Sequence, residues 1–322
     1  MGEEAIHDKS HDWIITAMSR TGVEHALGPV TDILKEQGLE LDRIDAPSGI
    51  VDGRVADGRI AIGPAGYACA AIRALGPVND PAALRAKLLN LADAIGVDLV
   101  LQPASDFAKP RRLFVFDMDS TLIQGEVIDE LAKMAGVADR VVAITASAMR
   151  GEIEFQESFR RRVALLAGLP ASRAHELLQR IPLMDGAERL FQALHARSAR
   201  TAILSGGFTF FGAHLRQKLG VDHVHANELD VDADGYVTGE VRGPIVDGAR
   251  KAELLVEIAR QEGIPLEQVV AVGDGANDLP MLRLAGMGVA FHAKPVVRAS
   301  AAFAVTHVGL DGLLELVRNR SL

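Results

Sequence analysis

Cysteine is almost absent from this sequence, which carries Cys69 as the single thiol among 322 residues. One cysteine excludes a disulfide within the chain and a metal site built from several thiolates. Cys69 lies in the apolar stretch YACAAI, so we expect a buried side chain that behaves as a small hydrophobe. This cysteine usage fits a reducing compartment, and we expect a cytoplasmic protein.

Positive charge and long apolar runs are also scarce. The 34 Lys and Arg residues are outnumbered by 43 Asp and Glu, and the net charge of −9 argues against a nucleic-acid-binding protein, which needs a basic surface. A small anionic substrate stays compatible, because the local field at a site outweighs the net charge. No segment reaches about 18 consecutive apolar residues, and the polar N-terminus lacks the apolar core of a signal peptide. We therefore expect no membrane span and no secretory leader.

Two nucleotide-binding signatures are missing as well. The sequence has no glycine-rich loop ending in Lys-Ser or Lys-Thr, and it lacks the loop set of a protein kinase. What is present is an ordinary globular composition, with 48% hydrophobic and 24% charged residues. The length of 322 residues suggests two domains.

Residues 1–107 are predicted to form the first domain, in which strands alternate with helices. Strands are predicted at 13–18, 39–44, 68–75 and 98–102, with helices at 23–37 and 81–95 and a further short strand at 60–62. Asp80 and Pro81 are typical of a helix start, and Gly96 is typical of a helix end. The resulting order, β-α-β-β-α-β, is the ferredoxin-like pattern.

The first strand–helix loop of this domain contains Gly22. With the strand order, it resembles the ACT family of small-molecule-binding regulatory domains, although Ser19 stands where that family often has Asp or Asn. The resemblance implies an effector site, and the alternative is a packing or dimerising module without a ligand. Residues 103–110 have proline at both ends and predict a linker.

Residues 111–122, RRLFVFDMDSTL, join a short apolar run to two carboxylates. Leu113–Phe116 predicts a buried strand of a parallel sheet, and Asp117 and Asp119 follow it directly. Ligand crevices in open α/β sheets lie at the carboxyl ends of the strands, so this pair is placed for chemistry. For this stretch taken alone, the alternative is a loop whose side chains only cap the next helix.

Residues 108–322 are predicted to form the second domain, an α/β Rossmann-like core with a parallel sheet flanked by helices. A helical cap is predicted as an insertion at about 123–200, with helices near 126–135, 138–149, 152–167, 172–180 and 187–196. Strands follow at 201–204, 223–226, 269–272, 288–291 and 303–306, with helices at 210–219 and 251–262.

An acidic stretch after residue 229 has two interpretations. The run Asp230-x-Asp232-x-Asp234-Gly235 superficially resembles a calcium loop, but the expected last ligand is missing because Val241 occupies that position. A turn between two short antiparallel strands is therefore the preferred interpretation.

Three core strands end in polar clusters, which are Asp117 with Asp119, Ser205-Gly206-Gly207, and Gly273-Asp274-Gly275 with Asn277 and Asp278. In a parallel sheet these ends share one edge, and Lys251 is predicted to begin a helix between the second and third. Carboxylates suit Mg²⁺, whereas Ser205, Lys251 and the backbone N–H groups near Gly206 suit phosphate oxygens. The sequence therefore predicts an Mg²⁺ and phosphate site at this edge.

The motifs DMDST, Ser205-Gly206-Gly207, Lys251 and GDGAND resemble the four motifs of the haloacid dehalogenase (HAD) superfamily, and from residue 111 onward the chain is similar to the phosphoserine phosphatase family. The resemblance implies that Asp117 is the nucleophile, and that Asp119 protonates the leaving alkoxide and later deprotonates the attacking water. A halide leaving group needs no proton, so Asp119 favours a phosphatase over a dehalogenase.

The same resemblance implies the roles of the other motif residues. Mg²⁺ is expected on Asp117, on the backbone carbonyl of Asp119 and on Asp274, with Asp278 supporting the metal shell. Lys251 and Ser205 are expected to stabilise charge on the transferring phosphoryl group.

Substrate selection is expected in the cap. Phe155, Phe159, Arg162 and Leu166 share one face of a predicted helix, so Arg162 interrupts an apolar stripe. A guanidinium there is costly unless it faces a cleft or an anion, and the alternative is that it reaches out to solvent.

The phosphoserine phosphatase pattern implies that Arg162 binds a substrate carboxylate and Glu126 a substrate ammonium group. It places Met149 and Phe155 beside Arg162, and Asn277 near the substrate or its phosphate.

These residues predict an Mg²⁺-dependent enzyme that hydrolyses O-phosphoserine to serine and phosphate, the last step of serine biosynthesis. The alternatives are a phosphotransferase, a phosphatase for another small phosphomonoester, and a non-catalytic effector-binding protein. The ACT-like domain suggests serine as a feedback effector, and a homodimer is possible because ACT-like sheets often pair edge to edge. We expect no nucleic-acid or membrane partner.

Overall fold

The computed structural model describes residues 12–45 and 65–317. The chain divides into two compact units, one formed by Met1–Pro110 with Phe291–Leu322 and the other by Arg111–Ala290. The first unit thus takes in C-terminal residues that the sequence assigns to the second domain. The domain bounds 1–107 and 108–322 stay a prediction.

The first unit begins with an antiparallel sheet and two covering helices. Its elements are β1 (Asp12–Ser19), α1 (Glu24–Glu36), β2 (Glu40–Asp45), β3 (Ala68–Leu75), α2 (Pro81–Ile95), β4 (Asp98–Pro103) and the short α3 (Ala104–Phe107). The strands lie in the order β2-β3-β1-β4. The predicted β-α-β-β-α-β order is confirmed, whereas membership of the ACT family stays a prediction. The strand predicted at 60–62 lies outside the described residues.

Local sequence explains the helix α2. The Asp80 side chain accepts a hydrogen bond from the Ala83 N–H at 3.0 Å, and Pro81 occupies the first helical position, where no N–H partner is needed. Gly96 ends the helix with φ of +69°, a conformation that glycine adopts without strain. The segment 103–110 contains the short helix α3, and its role as a linker stays a prediction.

The second unit contains the predicted parallel sheet. Its elements are β5 (Leu113–Phe116), α4 (Val127–Met134), α5 (Ala138–Met149), α6 (Phe155–Ala164), α7 (Ala171–Arg180), α8 (Ala187–Ala196), β6 (Arg200–Phe208), α9 (Thr209–Leu219), β7 (His223–Val231), β8 (Val237–Arg242), α10 (Gly248–Gln261), β9 (Val269–Gly273), α11 (Leu279–Leu284) and β10 (Met287–Phe291). The strands of this unit lie in the order β10-β9-β5-β6-β7-β8, and all neighbours are parallel except the β7–β8 pair. The side chains of β5 are all buried, as its apolar sequence predicts.

The helical cap is confirmed, since α4 to α8 occupy the chain between β5 and β6. Helix α6 is shorter than the predicted span 152–167. Gly151, with φ of +75°, turns the chain before the helix, and beyond its end the Gly168 N–H donates to Val237 O at 2.8 Å. The β7–β8 turn is also confirmed in place of a calcium loop, because Asp232 Oδ1 accepts from the Asp234 N–H at 3.0 Å and the two strands pair antiparallel.

The C-terminal residues belong to the first unit and comprise α12 (Pro295–Ser300), β11 (Phe303–Val305) and α13 (Leu313–Leu316). The buried carboxylate of Asp98 on β4 accepts backbone N–H groups of Thr306, His307 and Val308 at 2.6, 2.9 and 3.1 Å. Burial raises the pKa of Asp98, and the three hydrogen bonds offset part of that shift. None of the described helices combines the length and apolarity that a membrane crossing requires.

Candidate active site

The first cluster of the site is set by the end of β5. The Asp117 N–H donates to Val272 O at 2.9 Å, which continues the sheet ladder one residue beyond the strand. Its carboxylate accepts the Met118 N–H at 2.7 Å, and the chain then turns through Ser120, which has φ of +56°. Asp119 Oδ1 accepts the Val127 N–H at 3.3 Å, so this second carboxylate lies at the start of α4. Both Asp side chains are buried at the carboxyl end of the central strand.

The second cluster lies within β6. The sequence predicts that the strand closes before Ser205-Gly206-Gly207, but the strand continues to Phe208 and its pairing with β7 shifts register in between. Ser205 is fully buried, and its Oγ accepts the Gly207 N–H at 2.9 Å. A Cβ atom on Gly207 would lie 2.5 Å from Asp119 Oδ2, so a side chain there would displace the Asp119 carboxylate. The two clusters are therefore adjacent.

Lys251 lies in the first turn of α10 rather than at its start. The helix begins at Gly248, and Asp247 caps it by accepting the Arg250 N–H at 2.9 Å. The Lys251 Nζ is fully buried and lies 2.8 Å from Asp117 Oδ1 and 2.7 Å from Asp278 Oδ1. This ammonium group therefore joins the first cluster to the third.

The third cluster follows β9. Asp274 Oδ1 accepts the Thr121 Oγ1 hydroxyl at 3.2 Å, and Asp278 Oδ2 accepts the Gly275 N–H at 2.9 Å. Asn277 is half-buried in the same turn. A Cβ on Gly275 would lie 2.1 Å from Asn277 Oδ1, so a side chain there would displace the Asn277 amide.

The electrostatics of the site are dominated by crowded carboxylates. Burial and the neighbouring Asp278 raise the pKa of Asp117 well above its usual value, against the effect of Lys251. Burial and Glu126 likewise raise the pKa of Asp119 well above its usual value. Burial and Asp278 raise the pKa of Asp274 to about 7. Burial alone would lower the Lys251 pKa, but Asp117 and Asp278 outweigh it and raise that pKa. Excess negative charge is thus concentrated in one place.

These carboxylates fit a divalent metal ion. Asp117, Asp274 and Asp278 each offer one oxygen, and these atoms all lie within 4.8 Å of one another. Hard cations prefer carboxylate oxygens, and a bound cation would relieve the repulsion that raises the pKa values of Asp117 and Asp274. The donor set and its charge therefore suit a divalent cation.

The cap contributes a pair of opposite charges. Ser120 Oγ donates to Glu126 Oε1 at 2.9 Å. Glu126 keeps contact with solvent, but the protein atoms around its carboxylate partly desolvate it and so raise its pKa. Arg162 is partly buried, and its guanidinium lies 6.0 Å from the Phe159 ring centroid. Burial lowers the Arg162 pKa, and the nearby charges of Glu126 and Asp129 act in the opposite direction.

The other two predicted cap residues differ in exposure. Phe155 lies close to the second cluster, since a Cβ on Gly206 would lie 3.3 Å from the Phe155 Cζ. Met149 is 64% exposed at the end of α5.

Three residues near the site are not among the sequence predictions of site residues. Thr121 bonds to Asp274, Gln156 Nε2 donates to Asp247 Oδ2 at 2.7 Å, and the buried Asn227 bonds to the Ser205–Gly207 segment. The sequence carries one signal for Asn227, because asparagine is depleted in strands and this one follows the apolar end of a predicted strand. It carries none for Gln156.

A family model described as haloacid dehalogenase-like hydrolase matches residues 114–283. The chain is 46% identical over 240 residues to a phosphoserine phosphatase of Archaeoglobus fulgidus, an alignment that covers 74% of this chain and 70% of that protein. It is 48% identical to a phosphoserine phosphatase of Streptomyces coelicolor, with 73% of this chain aligned to 57% of that longer protein. A crystal structure of a probable phosphoserine phosphatase from Vibrio cholerae superposes with a TM-score of 0.72 and 32% identity, covering 97% of this chain and 88% of the other.

Proposed function

The chain belongs to the haloacid dehalogenase-like hydrolase family, and from this premise we propose that it is a phosphoserine phosphatase that hydrolyses O-phosphoserine to serine and phosphate, the last step of serine biosynthesis. The observation that carries the proposal is the meeting of Asp117, Asp119, Lys251 and Ser205 at one edge of the sheet, beneath a cap that carries Glu126 and Arg162. The first group suits phosphoryl transfer, and the second suits an amino-acid substrate.

Asp117 is the nucleophile in this proposal. Its free carboxylate oxygen attacks phosphorus, the bond from phosphorus to the serine oxygen breaks, and the electron pair stays on that oxygen. Asp119 protonates the departing alkoxide, for which its raised pKa is suited because the carboxyl group holds a proton more readily. The Asp119 carboxylate then takes a proton from water as that water attacks the aspartyl-phosphate and releases Asp117.

Lys251 and Ser205 act on the charge of the transferring group. The buried ammonium lies 2.8 Å from Asp117 Oδ1, so it both orients the nucleophile and neutralises phosphoryl oxygens without reorganisation. We propose Mg²⁺ as the metal, held by Asp117, the Asp119 carbonyl and Asp274 with Asp278 in support; when bound, it supplies positive charge to the phosphoryl oxygens.

The cap is proposed to select the amino acid. The planar guanidinium of Arg162 matches a carboxylate, and the Glu126 carboxylate matches an ammonium group. Phe155, Met149 and Asn277 are proposed to complete the substrate site. Phe155 packs beside Gly206 and so joins the cap to the phosphate-binding segment.

The remaining proposals concern regulation and assembly. Serine is proposed as an effector of the first unit, because its β-α-β-β-α-β order resembles that of ACT domains, and an edge-to-edge homodimer is proposed from the same resemblance. The single cysteine supports the proposed cytoplasmic location.

The proposed reaction is tested by product analysis with O-phosphoserine, Mg²⁺ and an added alcohol such as homoserine. A phosphatase releases inorganic phosphate and serine, with no transfer to the alcohol. A phosphorylated alcohol as the main product would indicate a phosphotransferase. Turnover retained by the Asp117→Asn variant would show that Asp117 is not the nucleophile.

A further inference from the structure

Asn227 occupies an unusual position in β7. It is a polar side chain with 1% exposure, in a strand where asparagine is normally disfavoured. Its Nδ2 donates to Gly206 O at 2.8 Å, and its Oδ1 accepts the Val246 N–H, also at 2.8 Å. Both ends of the amide are therefore used, and each contacts backbone that leads to a reacting residue.

The donor end of this amide acts where the sheet ladder is interrupted. Pairing between β6 and β7 shifts register between Leu204 and Phe208, and Asn227 is the partner of Phe208. The intervening residues leave the regular ladder and turn toward the site. The Asn227 side chain donates to Gly206 O within this interval, so a side chain of β7 tethers the backbone of β6 where the register shifts.

This contact fixes the peptide between Gly206 and Gly207. Its carbonyl accepts from Asn227, and its N–H donates to Ser205 Oγ at 2.9 Å. The two groups of a trans peptide point in opposite directions, so both sides of this peptide are anchored. A hydroxyl that accepts this bond keeps its own hydrogen for another acceptor, and in Ser205 that acceptor is proposed to be phosphate.

The acceptor end of the amide reaches the segment before α10. Val246 is followed by Asp247, which caps α10, and the Lys251 N–H donates to Asp247 O at 2.9 Å. A displacement of Val246 would therefore move the first turn of the helix, where Lys251 lies. Asn227 thus connects the segment that carries Ser205 with the segment that carries Lys251.

We propose that Asn227 is a positioning residue for phosphoryl transfer, one that holds the Ser205-Gly206-Gly207 segment and the first turn of α10 in fixed relation; the inference rests on the proposed function. Both ends of its amide bond to backbone, so it acts through the groups that it positions. Its effect is the geometry of the groups that stabilise the transferring phosphoryl group, where small displacements are costly.

The test compares Asn227→Asp and Asn227→Ala with the full-length wild-type enzyme and Mg²⁺, using O-phosphoserine and p-nitrophenyl phosphate. The Asn227→Asp variant keeps an oxygen that accepts the Val246 N–H. The amide nitrogen that donates to Gly206 O is replaced by an ionised oxygen, which then faces the Gly206 carbonyl. We expect kcat to fall by about tenfold or more at pH 8, with a smaller change in KM. When that carboxyl group is protonated it can donate to Gly206 O, so the ratio of variant to wild-type kcat should rise as pH falls toward about 5.5. Asn227→Ala should lose kcat without this recovery at low pH.

Thermal unfolding and Asn90→Asp, which adds the same charge at an exposed position of α2, serve as controls. Wild-type kcat in either folded Asn227 variant would overturn the proposal, as would losses that are equal at every pH in both variants. If Asn227→Asp does not fold, a folded Asn227→Ala that keeps wild-type kcat overturns it and one that loses kcat at unchanged KM supports it. Should wild-type enzyme hydrolyse p-nitrophenyl phosphate but not O-phosphoserine, the proposed substrate fails, while the kcat ratios on p-nitrophenyl phosphate still decide the role of Asn227.

Discussion

Lys251 places its fully buried Nζ 2.8 Å from Asp117 Oδ1, and the same ammonium lies 2.7 Å from Asp278 Oδ1. A buried cation between two carboxylates is held by electrostatics and cannot be replaced by an uncharged group without consequence. This relationship makes Lys251 both part of the proposed phosphoryl-transfer site and part of its structural support.

Lys251→Met should therefore affect both activity and stability. We expect kcat to fall by about 10²-fold or more, because a preorganised charge at the phosphoryl group is lost. The free energy of unfolding should fall by about 3 to 5 kcal/mol at neutral pH, because two buried carboxylates are left without their cation. Phosphate release and urea unfolding measure the two effects.

Lys218→Met is a matched control, since Lys218 is an exposed lysine near the end of α9 in the same unit. It should leave both quantities close to those of the wild type. Equal effects of the two substitutions would contradict the role assigned to the buried ammonium group.

Asp119→Asn should separate the two chemical steps. The amide cannot protonate an alkoxide or deprotonate water, so turnover of O-phosphoserine should fall by about 10² to 10⁴-fold. p-Nitrophenolate leaves without a proton, so the variant should release about one p-nitrophenolate per active site in a burst and then stall. Rapid-mixing absorbance measures the burst. A fast steady state on p-nitrophenyl phosphate would show that Asp119 is not the base.

Metal binding should depend on pH through Asp274. In the metal-free protein its pKa is raised from 3.8 to about 7, so the folded protein holds this proton more tightly than the unfolded chain does. As pH rises from 3.8, the ordinary pKa of this carboxyl group, through about 7, the contribution of Asp274 to the free energy of unfolding falls. A bound cation removes that penalty.

Mg²⁺ should therefore raise the melting temperature more at pH 8 than at pH 6, measured by calorimetry against a sample treated with EDTA. The difference should shrink in Asp274→Asn, which cannot titrate. An equal rise in melting temperature with Mg²⁺ at both pH values in the wild type would show that Asp274 does not bind the metal.

The hydrogen bond between Gln156 and Asp247 joins helix α6 of the helical cap to the N-cap residue of α10. At 2.7 Å it links an exposed side chain to the segment that leads to Lys251. Gln156→Leu should lower kcat/KM for O-phosphoserine by about fivefold, the equivalent of one ordinary hydrogen bond between α6 and the segment that leads to Lys251. The exposed Gln179 on α7 provides the control, and Gln179→Leu should change nothing. The same loss in both variants would argue against a specific contact between cap and core.

Local pattern was sufficient for the parts of the site that lie next to strands. Leu113–Phe116 is apolar throughout and the polarity changes at Asp117, so both the strand and the position of its carboxylates follow from the sequence. Gly273 marks the end of β9 in the same way. The helical cap is likewise visible as a stretch between β5 and β6 that has helical but no strand periodicity.

Contacts between distant residues were not accessible in this way. Asn227 and Gly206 are 21 residues apart, and Gln156 and Asp247 are 91 apart, so no periodicity connects them. β6 extends through Ser205-Gly206-Gly207, whose glycines local pattern places at a strand end, and in this extension Gly206 O accepts a hydrogen bond from the distant Asn227. Tertiary hydrogen bonds determine these features, and local propensity does not.

Values of kcat/KM with Mg²⁺ on substrates that each lack one group decide whether the cap selects an amino-acid phosphate. O-Phosphoethanolamine lacks the carboxylate proposed to meet Arg162, O-phospho-3-hydroxypropionate lacks the ammonium proposed to meet Glu126, and a sugar phosphate lacks both. We predict that kcat/KM for O-phosphoserine exceeds that for each of them by about 10²-fold or more, because each analogue loses a charge-assisted hydrogen bond to Arg162 or Glu126. We also predict that Arg162→Met reduces the ratio of kcat/KM for O-phosphoserine to that for O-phosphoethanolamine. The corresponding ratio to O-phospho-3-hydroxypropionate should stay unchanged. A sugar phosphate hydrolysed as efficiently as O-phosphoserine would show that the cap does not select an amino-acid phosphate.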